Sequence, residues 1–359
     1  MGTGFAHIAR AIGRPLLAVV VSLLLFAIVL MVGDYNVLDV YRSLVVGAIG
    51  SPGAIGSTLR WATSLILAGL AVTIPLRAGL FNVGVEGQLY LAGFVAALIG
   101  IYADLPAILV QPLVLIAAIV VGILWALIPT LLLMYTRASE IVTTLMLNFI
   151  ALGVVNYLVN NYFRTELSAA AVMTEQVRPE ARFPSIFPPY PVSYGILIAV
   201  ALALLIQMFL RQTTHGYEIR MIGLNRNFAR FGGISIKRGW LISMLASGAI
   251  AGLIGAFETN GVNGRFISGF SPGFGFDGFL IAFLAGGNPI GVIWAGLGVA
   301  ALRAGSLNLA IDFGIPRITI AILQGFIILL ISAQLGRFDF LRRLVTERKA
   351  KVSVQGEAT

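Results

Sequence analysis

Apolar residues run along this chain in long blocks, as at 16–32, 109–134 and 196–210, separated by short polar stretches. A bilayer needs about 20 apolar residues per helix. Backbone groups in lipid must be paired internally. Short segments with period-two alternation are absent, which argues against a membrane barrel. The pattern predicts spans at 15–32, 60–77, 84–101, 108–134, 139–159, 192–210, 239–257, 277–287, 289–305 and 316–335. The eighth is too short to cross alone and reads as a half-helix or one arm of a broken pair. The first block follows Arg10 and Arg14 and exits as Met31-Val32-Gly33-Asp34 without an A-x-A site. It therefore reads as an uncleaved span, not a signal peptide. The predicted fold class is all-α, a polytopic transmembrane helical bundle of about ten spans, forming one domain over 1–359.

Composition agrees: 58% of residues are hydrophobic and 11% charged, with mean hydropathy +0.96, where soluble domains carry roughly 25% charge. The net charge of +9 does not signal nucleic acid, because no basic stripe with interleaved aromatics exists. Lys and Arg cluster between apolar blocks instead. With a cytoplasmic N-terminus and ten crossings, 16 of the 24 basic residues fall inside, as the positive-inside rule expects. The eight left outside are Arg42, Arg60, Arg164, Arg178, Arg182, Arg265, Arg303 and Arg317. The segment 160–191 is then an extracytoplasmic loop, and both termini are cytoplasmic. There are no cysteines, which removes thiolate and disulfide chemistry. His7 and His215 stand alone in basic loops and read as solvated residues, not metal ligands.

Two stretches share the order Gly, apolar, acid, Gly, then an apolar run: Gly84-Val85-Glu86-Gly87 and Gly275-Phe276-Asp277-Gly278. In this topology the first enters from the cytoplasm and the second from outside. That makes 60–159 and 239–335 the halves of an inverted repeat, an architecture that places a transport pathway at the repeat interface. An acid in an apolar block costs roughly 2.5–3.5 kcal/mol on insertion. Glu86 and Asp277 therefore either line the path or cap and pack helices beside tight glycines. Gly273, Gly275 and Gly278 match G-x-G-x-x-G, but no strand precedes them, so the dinucleotide reading fails. No G-x-x-x-x-G-K-[ST] sequence is present, and the only lysines are Lys237, Lys349 and Lys351. Gly248 and Gly252 form a G-x-x-x-G pair suited to internal helix packing.

The loop 211–238 is the most informative polar stretch. Asn225 can cap a short helix carrying Arg226, Phe228, Ala229, Arg230 and Phe231, which Gly232 and Gly233 would end. Such a helix suits docking into a partner's groove; a solvated positive loop is the plainer alternative. Here the chain resembles a known family. Gly223-x-Asn225, Ala229 and Gly233-Ile234 are similar to the coupling loop of bacterial ATP-binding cassette importer permeases, in the branch that includes ribose, galactose and nucleoside importers. Leu80-Phe81-Asn82-Val83-Gly84-Val85-Glu86-Gly87-Gln88 and Glu140-Ile141-Val142-Thr143-Thr144-Leu145-Met146-Leu147-Asn148 resemble that branch more closely still. These elements, with the long N-terminal region and the 160–191 insertion, look most like the larger permease of lipoprotein-dependent nucleoside importers.

The resemblance implies a second homologous permease (a heterodimer, or a homodimer), ATPase subunits carrying ATP and Mg, and an extracytoplasmic binding protein or lipoprotein. It implies residence in a bacterial inner membrane and no cofactor or catalysis in this chain. Residues 225–232 would seat in the ATPase; Phe228 departs from the Ala that relatives often carry. Asn82, Gln88, Asn148 and Gln324 lie in or beside apolar blocks. They either contact a polyhydroxy solute, a nucleoside or sugar, or bridge helices. The competing function is an ion-coupled secondary transporter using Glu86 and Asp277. A membrane enzyme lacks any reactive cluster.

Overall fold

A computed structural model of the protein describes residues 19–165, 171–315, 319 and 321–327. Among the described residues the regular structure is helical, with isolated bridges at Met173–Ile267 and Ser185–Ser193 and no strand. The chain forms two compact units, one of residues 42–308 and one of residues up to Tyr41 and from Leu309 onward.

The helices are α1 (Val19–Val32), α2 (Val37–Ile49), α3 (Pro52–Arg77), α4 (Val85–Tyr102), α5 (Ala107–Thr136), α6 (Glu140–Leu158) and α7 (Gly195–Gln212). After them come α8 (Thr214–Leu224), α9 (Arg226–Phe231), α10 (Ile236–Ala256), α11 (Phe274–Leu284) and α12 (Pro289–Asp312). Wide π-turns extend α6 over Val159–Phe163 and α10 over Phe257–Asn263. Seven of these helices are long and apolar enough to span a membrane; α1 and α11 are shorter apolar helices. The chain is a polytopic all-α membrane protein. The eighth predicted span is α11, a half-helix of 11 residues. Most of the tenth lies outside the described residues.

Three elements differ from expectation, one of them α8, an 11-residue helix inside the stretch 211–238 read as a loop. Helix α3 starts at Pro52, eight residues before the predicted 60, because Ser51 caps it by accepting from Ala54 N at 3.1 Å and Pro52 suits a first helical position. Gly53, Gly56 and Ser57 dilute the hydropathy of that first turn. Helix α2 was not predicted, being only 13 residues long.

In the larger unit, α3, α4 and α10 form the interior and α5, α6 and α7 the periphery. The apolar windows of α3, α4 and α10 are 78, 72 and 67% buried, against 22, 22 and 28% for α5, α6 and α7. The exposed residues of the outer helices are mostly apolar, as a lipid-facing layer requires. Gly248 and Gly252 bring α10 backbone-to-backbone against α5: a Cβ at Gly252 would sit 2.1 Å from the Ala118 carbonyl oxygen. That contact is the packing predicted for the pair.

One end of this unit is basic. It gathers Arg77 at the end of α3, Arg137 after α5, Arg211 in the last turn of α7, and α8, α9 and the start of α10. At the other end, residues 173–183 lie along residues 260–266: Thr174 N donates to Phe266 O, Val177 N to Gly264 O and Phe183 N to Asn260 O at 2.9–3.1 Å.

In the smaller unit, the Tyr41 hydroxyl donates to Leu23 O at 2.5 Å, and its ring lies 6.5 Å from that of Phe26.

Candidate functional site

After α3 ends at the basic side, residues 78–84 turn back into the bundle without helical structure. Non-helical backbone at membrane depth survives only where protein satisfies it. Here the side chains of Asn82 and Asn148 do so. Asn82, fully buried, donates to Gln88 Oε1 at 3.1 Å and to Ser247 Oγ at 2.8 Å, and its Oδ1 accepts from Gly84 N at 3.0 Å. The Ser247 hydroxyl in turn donates a hydrogen bond to the Ala71 carbonyl at 2.6 Å. From α6, Asn148 donates to Val83 O and accepts from Gly87 N, both at 2.8 Å. Gly87 has to be glycine, since a Cβ there would fall 2.9 Å from Asn148 Oδ1 and 3.0 Å from its Cα.

Helix α4 thus begins inside the protein, where it meets the start of α11. The Glu86 carboxylate accepts from Gly275 N at 2.7 Å, so Glu86 caps α11 from another helix. The cap that α11 would take from its own chain is weak: Gly273 has no side chain, and Ser271 Oγ accepts from Phe274 N at 3.2 Å. An acid at a helix start is favoured by unpaired N–H groups and the helix dipole. Gly275 permits the approach, since a Cβ on it would lie 2.7 Å from Glu86 N.

From this joint the helices diverge. Helix α11 follows α3: Phe274 lies against Trp61, Gly278 against Ala68, and Arg77 Nε donates to Gly287 O at 2.6 Å. Helix α4 follows α10 the other way, with Gly93 against Gly255 and Gly100 against Asn260. Eleven residues of α11 at 1.5 Å each cover about 16 Å, placing the joint near the middle of a ~30 Å hydrocarbon layer. The two Gly–acid–Gly stretches meet at one level and run apart, because residues 78–84 carry the chain inward from the basic end before α4 begins and residues 264–273 carry it inward from the other end before α11.

Asp277, one turn into α11, forms an ion pair with Arg303 of α12, with side chains 13 and 14% exposed. The Arg303 guanidinium also lies 5.2 Å from the Trp61 ring and 5.7 Å from that of Phe274. Glu86 and Asp277 therefore have different direct partners, a helix start and an arginine, but lie close enough for their charges to interact, and Arg303 attracts both. Gln324 belongs to the smaller unit, with its Nε2 buried and without a hydrogen-bond partner.

Sequence reasoning missed three charged residues here. Glu258, fully buried in the π-turn after α10, pairs with Arg60 Nη2 at 3.0 Å and accepts from Ser64 Oγ at 2.5 Å. Arg60 and Arg303, read as outside residues, lie within helices α3 and α12 and take buried or largely buried acids as partners. A lone charge in an apolar block marks such a site, but its partner is far away in sequence. A polar cluster of Tyr90, Asn156 and Ser268 also went unnoticed. In it the Tyr90 hydroxyl accepts from Gly269 N at 2.8 Å, and Ser268 Oγ donates to Asn156 Oδ1 at 2.8 Å.

At the basic end the predicted short helix is present as α9. Asn225 Oδ1 accepts from Asn227 N and Phe228 N, both at 3.0 Å, and Gly232 and Gly233 (φ +75°) end the helix. Ala229 is its buried residue, while Phe228 and Phe231 are 65 and 92% exposed. Arg226 is not a free surface charge: it donates to Gly79 O at 2.7 Å and lies 5.1 Å from the Trp240 ring. Gly223 brings α8 against the end of α3, where a Cβ would meet Arg77 O at 2.1 Å. Arg230 remains exposed. The loop thus holds α9 rigidly on the turn that leads to the joint, with its aromatics outward.

The sequence is similar to known transport proteins along most of its length. A family described as branched-chain amino acid transport system / permease component matches residues 54–332. The guanosine ABC transporter permease protein NupP of Bacillus subtilis is 34% identical over 89% of this chain and 92% of its own. The nucleoside ABC transporter permease protein NupB of Lactococcus lactis is 32% identical over 90% of this chain and 92% of its own. The glucose ABC transporter permease protein TsgB13 of Haloferax volcanii is 34% identical over 89% of this chain and 86% of its own. A family match over residues 54–332 and this degree of identity to whole relatives lead to one conclusion: the protein belongs to the permease-component family of branched-chain amino acid-type transport systems.

Proposed function

We propose that this permease translocates a nucleoside, or a related simple sugar, through a bacterial cytoplasmic membrane as one of two permeases in an ATP-driven importer, with both termini cytoplasmic. The observation that carries the reading is α9: a rigidly capped helix of six residues that presents two aromatic anchors beyond the basic end of the bundle. A lone transporter has no use for such an anchor, whereas a separate ATPase needs one, and the chain has no P-loop of its own. Relatives named for guanosine, nucleosides and glucose support the substrate class.

In this mechanism, closure of the ATPases on ATP pushes α9. Gly223 and Arg226 pass the displacement to Gly79 and the end of α3, and residues 79–84 carry it to the joint of α4 and α11. An extracytoplasmic binding protein delivers solute to the opposite end, onto residues 171–193 and 264–273. Glu86 and Asp277 hold the joint together and do not carry a coupling ion. Asn82, Gln88 and Asn148 keep its backbone satisfied, and any solute contact they make is made through that framework.

Reconstitution with the ATPase, the second permease and the binding protein tests the reading. Uptake of labelled guanosine should require internal ATP and persist when ionophores collapse ion gradients. Uptake by the chain alone, driven by a proton or sodium gradient, overturns it and returns Glu86 and Asp277 to the role of ion ligands.

A further inference from the structure

The turn that ends α11, Gly286-Gly287-Asn288, is met by Arg77 directly and by Arg211 through Gln207, and Arg220 of a third element lies close to Arg77. Arg77, ending α3, donates from Nε to Gly287 O at 2.6 Å. Arg211, in the last turn of α7, reaches the same turn through Gln207. In the amide orientation that satisfies both neighbours, Gln207 accepts from Arg211 Nε at 2.7 Å and donates to Asn288 Oδ1 at 3.3 Å. Arg220 of α8 lies one turn before Gly223, the residue packed on the Arg77 carbonyl, so it projects from the same side of that helix. Arg211 and Arg220 both lie close enough to Arg77 to repel its charge.

Among the described residues no carboxylate pairs with them: the ion pairs there involve other arginines and His215. Arg220 Nε is buried without a hydrogen-bond partner. Carbonyls at the ends of α3 and α11 offset part of the charge. Three unbalanced guanidinium groups with an unused buried donor match a phosphate group.

We propose that Arg77, Arg211 and Arg220 form a binding site for the phosphate of an anionic phospholipid headgroup. The surroundings favour lipid as the source. Helix α7 leads to Arg211 with an exposed apolar face that includes Leu204, Leu205 and Met208. Helix α12 leaves the same turn and carries Trp294, 72% exposed, in its second turn, where aromatic residues mark the headgroup level. The outward aromatics that suit a protein partner are on α9 instead. Basic pockets between transmembrane helices are a recognised way of holding anionic headgroups.

The test is native mass spectrometry of the full transporter complex, titrated separately with phosphatidylglycerol, phosphatidylcholine and inorganic phosphate. The expected result is retention of phosphatidylglycerol over phosphatidylcholine, a preference reduced by roughly 30-fold in Arg211→Gln with Arg220→Gln, as removal of two interfacial arginines implies. Lys237→Gln, a basic residue of the same end outside the cluster, should keep the preference. Three outcomes overturn the proposal: equal retention of the two lipids by the wild type, an equal loss in Lys237→Gln, or inorganic phosphate displacing phosphatidylglycerol at equal concentration, which would make the ligand a soluble phosphate. If the double variant does not assemble, the headgroup comparison on the wild type decides alone.

Discussion

Replacing Gly275 by alanine tests the joint most directly, because two opposing effects can be separated. Inside a helix, Gly→Ala ordinarily stabilises by about 1 kcal/mol. At Gly275 the new Cβ would stand 2.7 Å from Glu86 N and 3.1 Å from its Cβ and Oε2. The nearest of these atoms is main chain, which cannot swing aside as a side-chain tip would. Overpacking of this kind costs about 1–3 kcal/mol, and separating the two helix starts also lengthens the bond from Gly275 N to the Glu86 carboxylate. Hydrogen bonds to charged groups contribute about 1.5–3 kcal/mol. The expected net effect is a loss of about 2–4 kcal/mol, so Gly275→Ala should lower the Tm of the purified complex and slow ATP-dependent solute uptake. The same change at Gly298 of α12, where nothing lies within 4 Å, should be neutral or slightly stabilising. Matched thermal melts of both variants in one detergent give the comparison. If Gly275→Ala melts with the wild type or above it, the helix starts are not in contact and the account of the joint is wrong.

Glu86→Gln keeps the shape but removes the charge and should cost about 1–2 kcal/mol, read as a smaller drop in Tm than for Gly275→Ala; an equal or larger drop would assign Glu86 a further role. Phe231→Ala and Arg230→Glu should leave Tm unchanged yet weaken co-purification of the ATPase and ATP-dependent uptake, whereas Arg226→Glu should lower Tm as well, because Arg226 holds Gly79 O and lies against Trp240. Arg60→Ala leaves Glu258 buried and unpaired and should cost about 3–5 kcal/mol, while Arg60→Met with Glu258→Met should recover a large part of it; a double variant that melts below Arg60→Ala would show the charges themselves to be needed. Gly223→Ala should loosen α8 from the end of α3 and reduce uptake per ATP hydrolysed, and unchanged coupling would remove Gly223 from the transmission path.

Much of this architecture was legible in the sequence. Block lengths gave the spans, and the shortness of one block marked α11 as a half-helix. Asn225 and Gly233 bounded α9 because capping and positive φ are local requirements that particular residues meet. The Val-Glu-Gly-Gln stretch announced something unusual, since an acid between glycines in an apolar run needs a partner. Its role was not legible, because the partner of Glu86 is a backbone N–H 189 residues away. Arg60 and Arg303 were placed outside for a related reason: a hydropathy profile treats a charge as the end of a span, and cannot register that Glu258 or Asp277 neutralises it. Arg226 read, like Arg230, as an outward charge of the docking helix, and only packing shows it bound to the chain's own backbone.

The brevity of α11 also bears on how the protein is made. A helix of 11 residues is too short to leave the insertion machinery as a stable span, and its first N–H groups would meet hydrocarbon unpaired. It gains a place only once α3 offers the groove where Gly69 and Gly278 fit and α4 presents Glu86. Synthesis delivers those partners first, so the half-helix is laid into a surface already built. Damage to that groove should therefore surface during biogenesis, as chain cleared by membrane proteases before any transporter is assembled.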